Sequence, residues 1–290
     1  EGMKQYRWLA YPYAVWMIIF IVVPLMLVLF FSVTAKAPDG SIVLTLENFK
    51  KFWEPMYINV LIRSVLLAVY STVICLVLGY PLALILAGRD FKRKNILVML
   101  AVIPMWMNFL LRTYSWMTLL EKNGTINAFF GTLERLAATY LNMELTLPRV
   151  NILYTETAVI LGMVYNFLPF MILPIYSVVS KLDRSLIEAA QDLGGNNLVV
   201  FKRVIFPLSL PGVLSGITMV FMPAVTTFVI SRLLGGAQFM LIGNLIERQF
   251  LFSNDWGFGS ALSIIMLLLI LLSMGFMSRY EKENSGGGLW

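Results

Sequence analysis

Ile18-Ile19-Phe20-Ile21-Val22-Val23 near one end of the chain and Ile264-Ile265-Met266-Leu267-Leu268-Leu269-Ile270 near the other are unbroken apolar runs. A strand of a transmembrane barrel alternates apolar and polar residues over about ten positions, so these runs read as membrane-crossing helices. Working outward from them gives six candidate spans, at about 8–33, 58–87, 95–120, 156–180, 205–231 and 259–279. Each matches or exceeds the roughly 20 residues that hydrocarbon requires. The composition agrees: of 290 residues 59% are hydrophobic and 13% charged, against about 25% charged in a soluble domain, and the mean hydropathy is +0.80. The expected fold class is all-α, a polytopic membrane protein of six transmembrane helices in a single domain over 1–290, with no room for a large soluble domain.

Composition also removes most enzyme classes. The chain has no histidine, which excludes His-based acid–base chemistry, His-ligated metal and Ser–His or Cys–His nucleophile pairs. Its one cysteine, Cys75, sits in an apolar run and has no partner for an internal disulfide. The expectation is a protein that is not an enzyme.

Lys and Arg next to a span resist translocation, so their distribution over the loops orients the chain. One set of loops and ends carries Lys4, Arg7, Arg89, Lys92, Arg93, Lys94, Lys181, Arg184, Lys202, Arg203, Arg279 and Lys282 against seven acids, a net of +5. The other carries Lys36, Lys50, Lys51, Lys122, Arg135, Arg149, Arg232 and Arg248 against nine acids, a net of −1. Both termini are therefore expected in the cytoplasm, with Gly88, Gly195 and Ser285 inside and Gly40 and Asn142 outside. The overall charge of +6 is a membrane-orientation feature, with no nucleic-acid partner implied. Met3 reads as a natural start, and Glu1-Gly2 and Ser285–Trp290 as appended residues.

Several spans are interrupted: Pro24, then Gly79 and Pro81, Pro104, Gly162 with Pro169 and Pro174, and Pro211, Gly212, Gly216 and Pro223. Such breaks free carbonyls that lipid cannot satisfy, which suits a transporter; ordinary kinking is the other reading. Outside, Ile126, Phe129, Phe130, Leu133, Ala137 and Tyr140 share one face of an amphipathic helix over 125–141. That helix either packs on its own bundle or lies on the outer membrane face.

The internal loop after the fourth span, 181–204, has its own pattern. Leu182, Leu186, Ala190 and Leu193 fall on one helical face, and Gly194-Gly195 ends that helix, since glycine accepts the left-handed C-terminal conformation. The chain then re-enters a helix leading to the fifth span. Glu188-Ala189-Ala190, Gly194 six positions after the glutamate, aliphatic Val204 and then Pro207 resemble the EAA loop of bacterial ATP-binding-cassette importer permeases. That family usually has isoleucine and leucine where Val204 and Phe206 stand. The resemblance implies a type I ABC importer permease-like fold in a bacterial inner membrane, and a loop that docks on a cytoplasmic ATPase through Glu188, Ala189, Ala190, Asp192, Leu193, Gly194, Phe201 and Pro207. Ser185 and Glu188 are also spaced as a capping box, which would do no more than start the helix.

Leu78-Gly79-Tyr80-Pro81, Ile103-Pro104-Met105-Trp106-Met107-Asn108, Arg112-Thr113-Tyr114, Pro207-Leu208-Ser209-Leu210-Pro211-Gly212, Leu241-Ile242-Gly243-Asn244 and Asp255-Trp256-Gly257-Phe258-Gly259 look like the B-type permease subunit of spermidine/putrescine importers over roughly residues 8–280. The resemblance implies a complex with a second, non-identical permease, two ATPase subunits that carry ATP and Mg, and an extracellular or periplasmic binding protein. No cofactor is expected on this chain. Permeases for ferric iron, thiamine or phosphonates share parts of these motifs, and a secondary transporter would also have broken helices, though usually with repeats or intramembrane ionisable pairs.

A polyamine pathway should offer carboxylates, carbonyl dipoles and aromatic faces. The aromatics Trp106, Tyr114, Trp116, Tyr165, Phe167 and Phe170 fall near Pro-broken segments, and Asn108 and Asn166 add uncharged acceptors at depth. No acid lies in the middle of a span. Arg63 and Arg112 lie toward the outer ends of theirs and are expected to snorkel outward. Glu247 and Asp255 then supply negative charge at the outer mouth, where Asp255 with Trp256 could meet an ammonium. Asp255 could equally be the N-cap of the last helix.

Overall fold

The computed structural model describes residues 11–36, 41–88, 94–141, 143 and 146–285. The expectations for Met3, Lys4, Arg7, Gly40, Arg89, Lys92, Arg93 and Asn142, and for the ends 1–10 and 286–290, lie outside the described residues.

Among the described residues the helices are α1 (Tyr11–Ser32), α2 (Glu47–Phe52), α3 (Pro55–Ala87), α4 (Lys94–Trp106), α5 (Phe109–Leu120), α6 (Thr125–Leu141), α7 (Glu156–Val179), α8 (Arg184–Asp192), α9 (Asn197–Thr226), α10 (Val229–Leu234), α11 (Ile242–Leu251) and α12 (Trp256–Ser285). Five of them, α1, α3, α7, α9 and α12, are long and apolar enough to cross a membrane. A short antiparallel ribbon, β1 (Thr34–Lys36) with β2 (Ile42–Leu44), pairs Ala35 with Val43 and departs from the all-helical expectation.

The third expected span, 95–120, is not one helix. The chain bends by 94° between Ile96–Trp106 and the helical stretch that begins at Phe109. A competing cap is the cause: Asn108 leaves the helical region at ψ 128° and its side chain accepts the amide of Leu110 at 2.8 Å, starting a new helix. Counting the bent pair as one crossing gives six spans.

The prolines are absorbed in a different way. α1 and α9 each contain a π-helical turn, Ile18–Val22 and Phe201–Ile205, and each turn ends two residues before a proline, Pro24 and Pro207. The residue just before the proline donates five positions back, Val23 to the Ile18 carbonyl and Phe206 to that of Phe201. Widening the turn keeps the ladder bonded where proline cannot donate.

The described chain divides into two compact units, one holding the residues up to Leu61 with Leu245–Leu272, the other Ile62–Asn244 with the residues from Ser273. In the first, α1 has no buried residue before Ser32. The amide of Asn48 on α2 donates to the carbonyls of Ser32 at 3.1 Å and Thr34 at 3.2 Å, tying the end of α1 to the ribbon.

The larger unit is built on α7 packed along α9. Lipid gives apolar side chains no reason to leave it, so helices associate through close packing and hydrogen bonds. Gly212 and Gly216, four apart on α9, supply the close approach: a Cβ at 212 would lie 2.9 Å from the Pro174 carbonyl oxygen and 3.1 Å from Ile175 Cα. Met163, Met171, Ile175 and Val220 fill the packed face. Inside the same unit Tyr80 and Ser209 share a hydroxyl hydrogen bond of 2.7 Å. Asn244 closes the excursion after α9, accepting from Ser231 Oγ at 2.5 Å and donating to the Phe228 carbonyl at 2.8 Å.

Gly212→Leu should therefore separate α7 from α9, costing about 1–3 kcal/mol by overpacking. Gly275→Leu, where nothing lies within 4 Å, should be neutral. Thermal unfolding of the detergent-solubilised subunit, followed by size-exclusion chromatography, checks both, and equal melting temperatures would contradict the packing assignment.

Candidate functional site

The loop between α7 and α9 forms a capped knob. Asp183, not Ser185, is the N-cap of α8: its Oδ1 accepts the Ser185 amide at 3.0 Å. That amide and the Ser185 hydroxyl hold the Asp183 carboxyl below the usual carboxylate range. The cap's stabilisation is thus present at neutral pH and lost as pH falls through the depressed value. At the other end Gly194 takes φ +80°. Its amide donates to Gln191 and the Gly195 amide donates to Ala190, at 2.8 and 3.0 Å, the paired bonds of a Schellman cap. Asn196 then caps α9, accepting the Val199 amide at 2.9 Å.

α8 buries nothing. Glu188, Ala189 and Asp192 are exposed and Ala190 is half-buried. Leu193, placed by its periodicity on the same face as Leu186, is 90% exposed at the cap. The knob is anchored at its base, where Val200 is buried and the rings of Phe201 and Phe206 flank Tyr80 at 5.9 and 6.1 Å. Pro207 is exposed just beyond the π turn. Between the ends of α3 and α7 and the knob is a polar cavity of about 850 Å³ that includes Tyr176, Ser180, Asp183 and Glu188.

The expected pathway residues are only partly brought together. Trp106 is 82% exposed at the end of α4, and Tyr114 is exposed on α5. Trp116 and Tyr165 make an edge-on ring pair 5.2 Å apart. Asn108 caps α5, its side-chain carbonyl oxygen accepting backbone amides. Phe167 and Asn166 are buried in the packed face of α7; the Asn166 amide donates to the Gly162 carbonyl at 2.8 Å. Glu247 is half-buried on α11.

Of the two roles the sequence left open for Asp255, the structure shows the helix cap, and the second carboxylate oxygen meets a lysine of this chain. Asp255 Oδ1 caps α12 by accepting the Phe258 amide at 3.0 Å, and its Oδ2 takes the Lys51 ammonium at 3.2 Å. The ring over that ammonium is Phe258, at 4.5 Å to the centroid, and not Trp256. Trp256 packs on Phe31 and Phe250 and donates its indole N–H to Asn254.

The two arginines differ in their surroundings. Arg63 donates Nε to Glu156 at 2.7 Å, its second nitrogen also reaches Glu156, and its guanidinium lies 4.5 Å from the Phe239 centroid. Arg112 is buried, with Nε and Nη1 lacking a hydrogen-bond partner among the described residues. Sequence reasoning missed Lys51, Phe258, Glu156 and Phe239, whose pairings join distant residues, Lys51 with Asp255 being 204 apart in the chain, and have no local signal.

Interrupted membrane helices with an exposed, rigidly capped knob between α7 and α9 define a permease. The chain belongs to the family described as "Binding-protein-dependent transport system inner membrane component", which its residues 79–285 match. It is similar to the spermidine/putrescine transport system permease protein PotB of Haemophilus influenzae, at 40% identity over 271 residues covering 92% of this chain and 91% of that protein. The protein of the same name from Escherichia coli K12 is 38% identical over 261 residues, covering 89% and 91%. In fold it resembles a chain of a bacterial ABC transporter involved in the import of the acidic polysaccharide alginate, with a TM-score of 0.78 at 16% identity and 97% of both chains covered. The chain is thus a transport subunit of a bacterial inner membrane, not an enzyme.

Burying a charged group is costly where its hydrogen-bonding atoms are not all paired, and an apolar side chain of similar volume avoids that cost. Arg112→Met should raise the melting temperature of the purified subunit, whereas Glu156→Gln, which leaves Arg63 without its anion, should lower it. A lower melting temperature in Arg112→Met would show that the guanidinium has an acceptor.

Proposed function

We propose that the chain is the B-type permease of an ATP-driven polyamine importer that moves spermidine and putrescine inward. The observation that carries this reading is the likeness to the two PotB proteins along nearly their whole length. In this reading both termini are cytoplasmic, as the loop charges require. A second, non-identical permease completes the pathway, two ATPase subunits hold ATP and Mg, and a periplasmic binding protein delivers the polyamine.

The knob geometry supports coupling through α8. A helix with no buried side chain leaves most of its surface available to an ATPase groove, and Glu188, Ala189 and Ala190 present one acid beside two small residues that permit close contact. Asp192 and Leu193 extend that surface to the Gly194 cap. Because α9 runs from Asn197 to Thr226, a displacement of the knob is carried along one helix into the membrane, through the π turn that begins at Phe201 and past Pro207. Trp106, Tyr114, Tyr165, Asn166 and Phe167 are the pathway candidates of the larger unit, and Glu247, Asp255 and Trp256 those of the smaller one.

Proteoliposomes holding the complete complex should import radiolabelled spermidine and putrescine with ATP inside and binding protein outside. Thiamine, ferric iron or phosphonate should not compete, and uptake of one of these in place of polyamines would overturn the substrate. On a Cys75→Ser background, cysteines placed at Gly88 and Gly195 should react only with reagents that reach the cytoplasm. Labelling of either from outside intact cells would reverse the topology.

A further inference from the structure

Lys51 on α2 reaches Asp255 at the start of α12. Its Nζ is 3.2 Å from Oδ2 and 4.5 Å from the centre of the Phe258 ring. The carboxylate is fixed from its other side, where Oδ1 accepts the Phe258 amide at 3.0 Å. The ring is fixed too: Phe258 is fully buried and the Tyr57 ring stands edge-on at 4.8 Å. Carboxylate and ring are therefore in place before any cation arrives, and together they match an alkylammonium, one taking charge and an N–H, the other offering its negative face.

A lysine side chain is four methylenes ending in a primary ammonium. Putrescine has four methylenes between two such groups, and spermidine contains the same segment. The side chains of Lys51 and Asp255 are 41% and 37% exposed, so a solute can reach the pair. Beside it, a cavity of about 580 Å³ has Asp255 on its wall with Phe30, Phe31, Asn48, Asn254 and Trp256. Aromatic faces and amide groups line a space into which the remainder of a polyamine fits.

We propose that Lys51 is a built-in competitor, its ammonium occupying a primary-ammonium site made by Asp255 and Phe258, and that an incoming polyamine exchanges with it. The inference rests on the polyamine reading and adds a residue that regulates the site. Exchange of one alkylammonium for another on the same carboxylate leaves the count of ion pairs unchanged. The polycation thus meets no bare carboxylate that would hold it too tightly, and on departure the tethered Lys51 refills the site. A pathway needs this property, since its sites must release as readily as they bind.

The alternative is a strut that only fastens α2 to α12, and charge-preserving and charge-removing variants separate the two roles. Binding of radiolabelled putrescine is measured on the intact permease–ATPase complex in nanodiscs without binding protein. Lys51→Met should tighten binding several-fold, and adding Asp255→Asn should cancel the gain. Lys51→Arg should weaken binding several-fold, because a bidentate guanidinium is harder to displace from a carboxylate. Wild-type affinity in both single variants, or weaker binding in Lys51→Met with recovery in Lys51→Arg, makes Lys51 a strut and overturns the proposal. Should the Lys51→Met complex fail to assemble, Lys51→Arg decides alone: weaker binding supports the competitor and wild-type binding overturns it. Spermidine uptake by the unmodified importer is followed in parallel. Its absence removes the polyamine reading, whereas uptake with unaltered binding in the variants removes only the competitor.

Discussion

Hydrocarbon offers no partner to a backbone N–H or C=O, and this constraint governs where the chain can be interrupted. Several breaks in this protein are matched by a device that keeps the backbone bonded. π turns precede Pro24 and Pro207. At the 94° bend after Trp106, Asn108 serves the freed amides of the next helix. After Thr226, where the chain leaves α9, Asn244 takes up a carbonyl and a hydroxyl on the excursion. The glycines on α9 belong to the same logic, because helices that gain nothing by hiding apolar side chains from lipid must touch closely to hold together.

Ionic groups follow a parallel rule. Arg63 and Lys51 each sit on a carboxylate with an aromatic face alongside. The desolvation of each cation is thereby offset twice, by an opposite charge and by a ring quadrupole. Two nitrogens of Arg112 have no hydrogen-bond partner among the described residues, which is why its removal and the removal of Glu156 are expected to move stability in opposite directions.

Much of this was legible in the sequence. Hydropathy located the long helices because a spanning segment leaves a strong one-dimensional trace, and Gly194 was read as a left-handed cap from the local pattern alone. The knob's family resemblance was legible for the same reason: its residues are contiguous. The bend at Asn108 was not, since an asparagine within an apolar run reads equally as a buried acceptor or a cap, and only the backbone decides. Asp255 is instructive in another way. Its cap is a local property, visible from the helix that follows, but its bond to Lys51 joins residues 204 positions apart, and charge counting could only place both on the same side of the membrane. The short ribbon at Thr34–Leu44 was hidden because three-residue strands carry no periodicity.

The central claim is that an exposed helix ended by Gly194 transmits the ATPase's work to α9. At that position a side chain would meet no atom within 4 Å among the described residues, and the cost of replacing the glycine within the chain lies in its φ of +80°. The direct test is the number of ATP molecules hydrolysed per spermidine imported by the complete complex carrying Gly194→Asp. Coupling through the knob predicts a sharp rise in that ratio, or loss of the ATPase from the complex, in a permease that still folds. An unchanged ratio at unchanged import rate would contradict it.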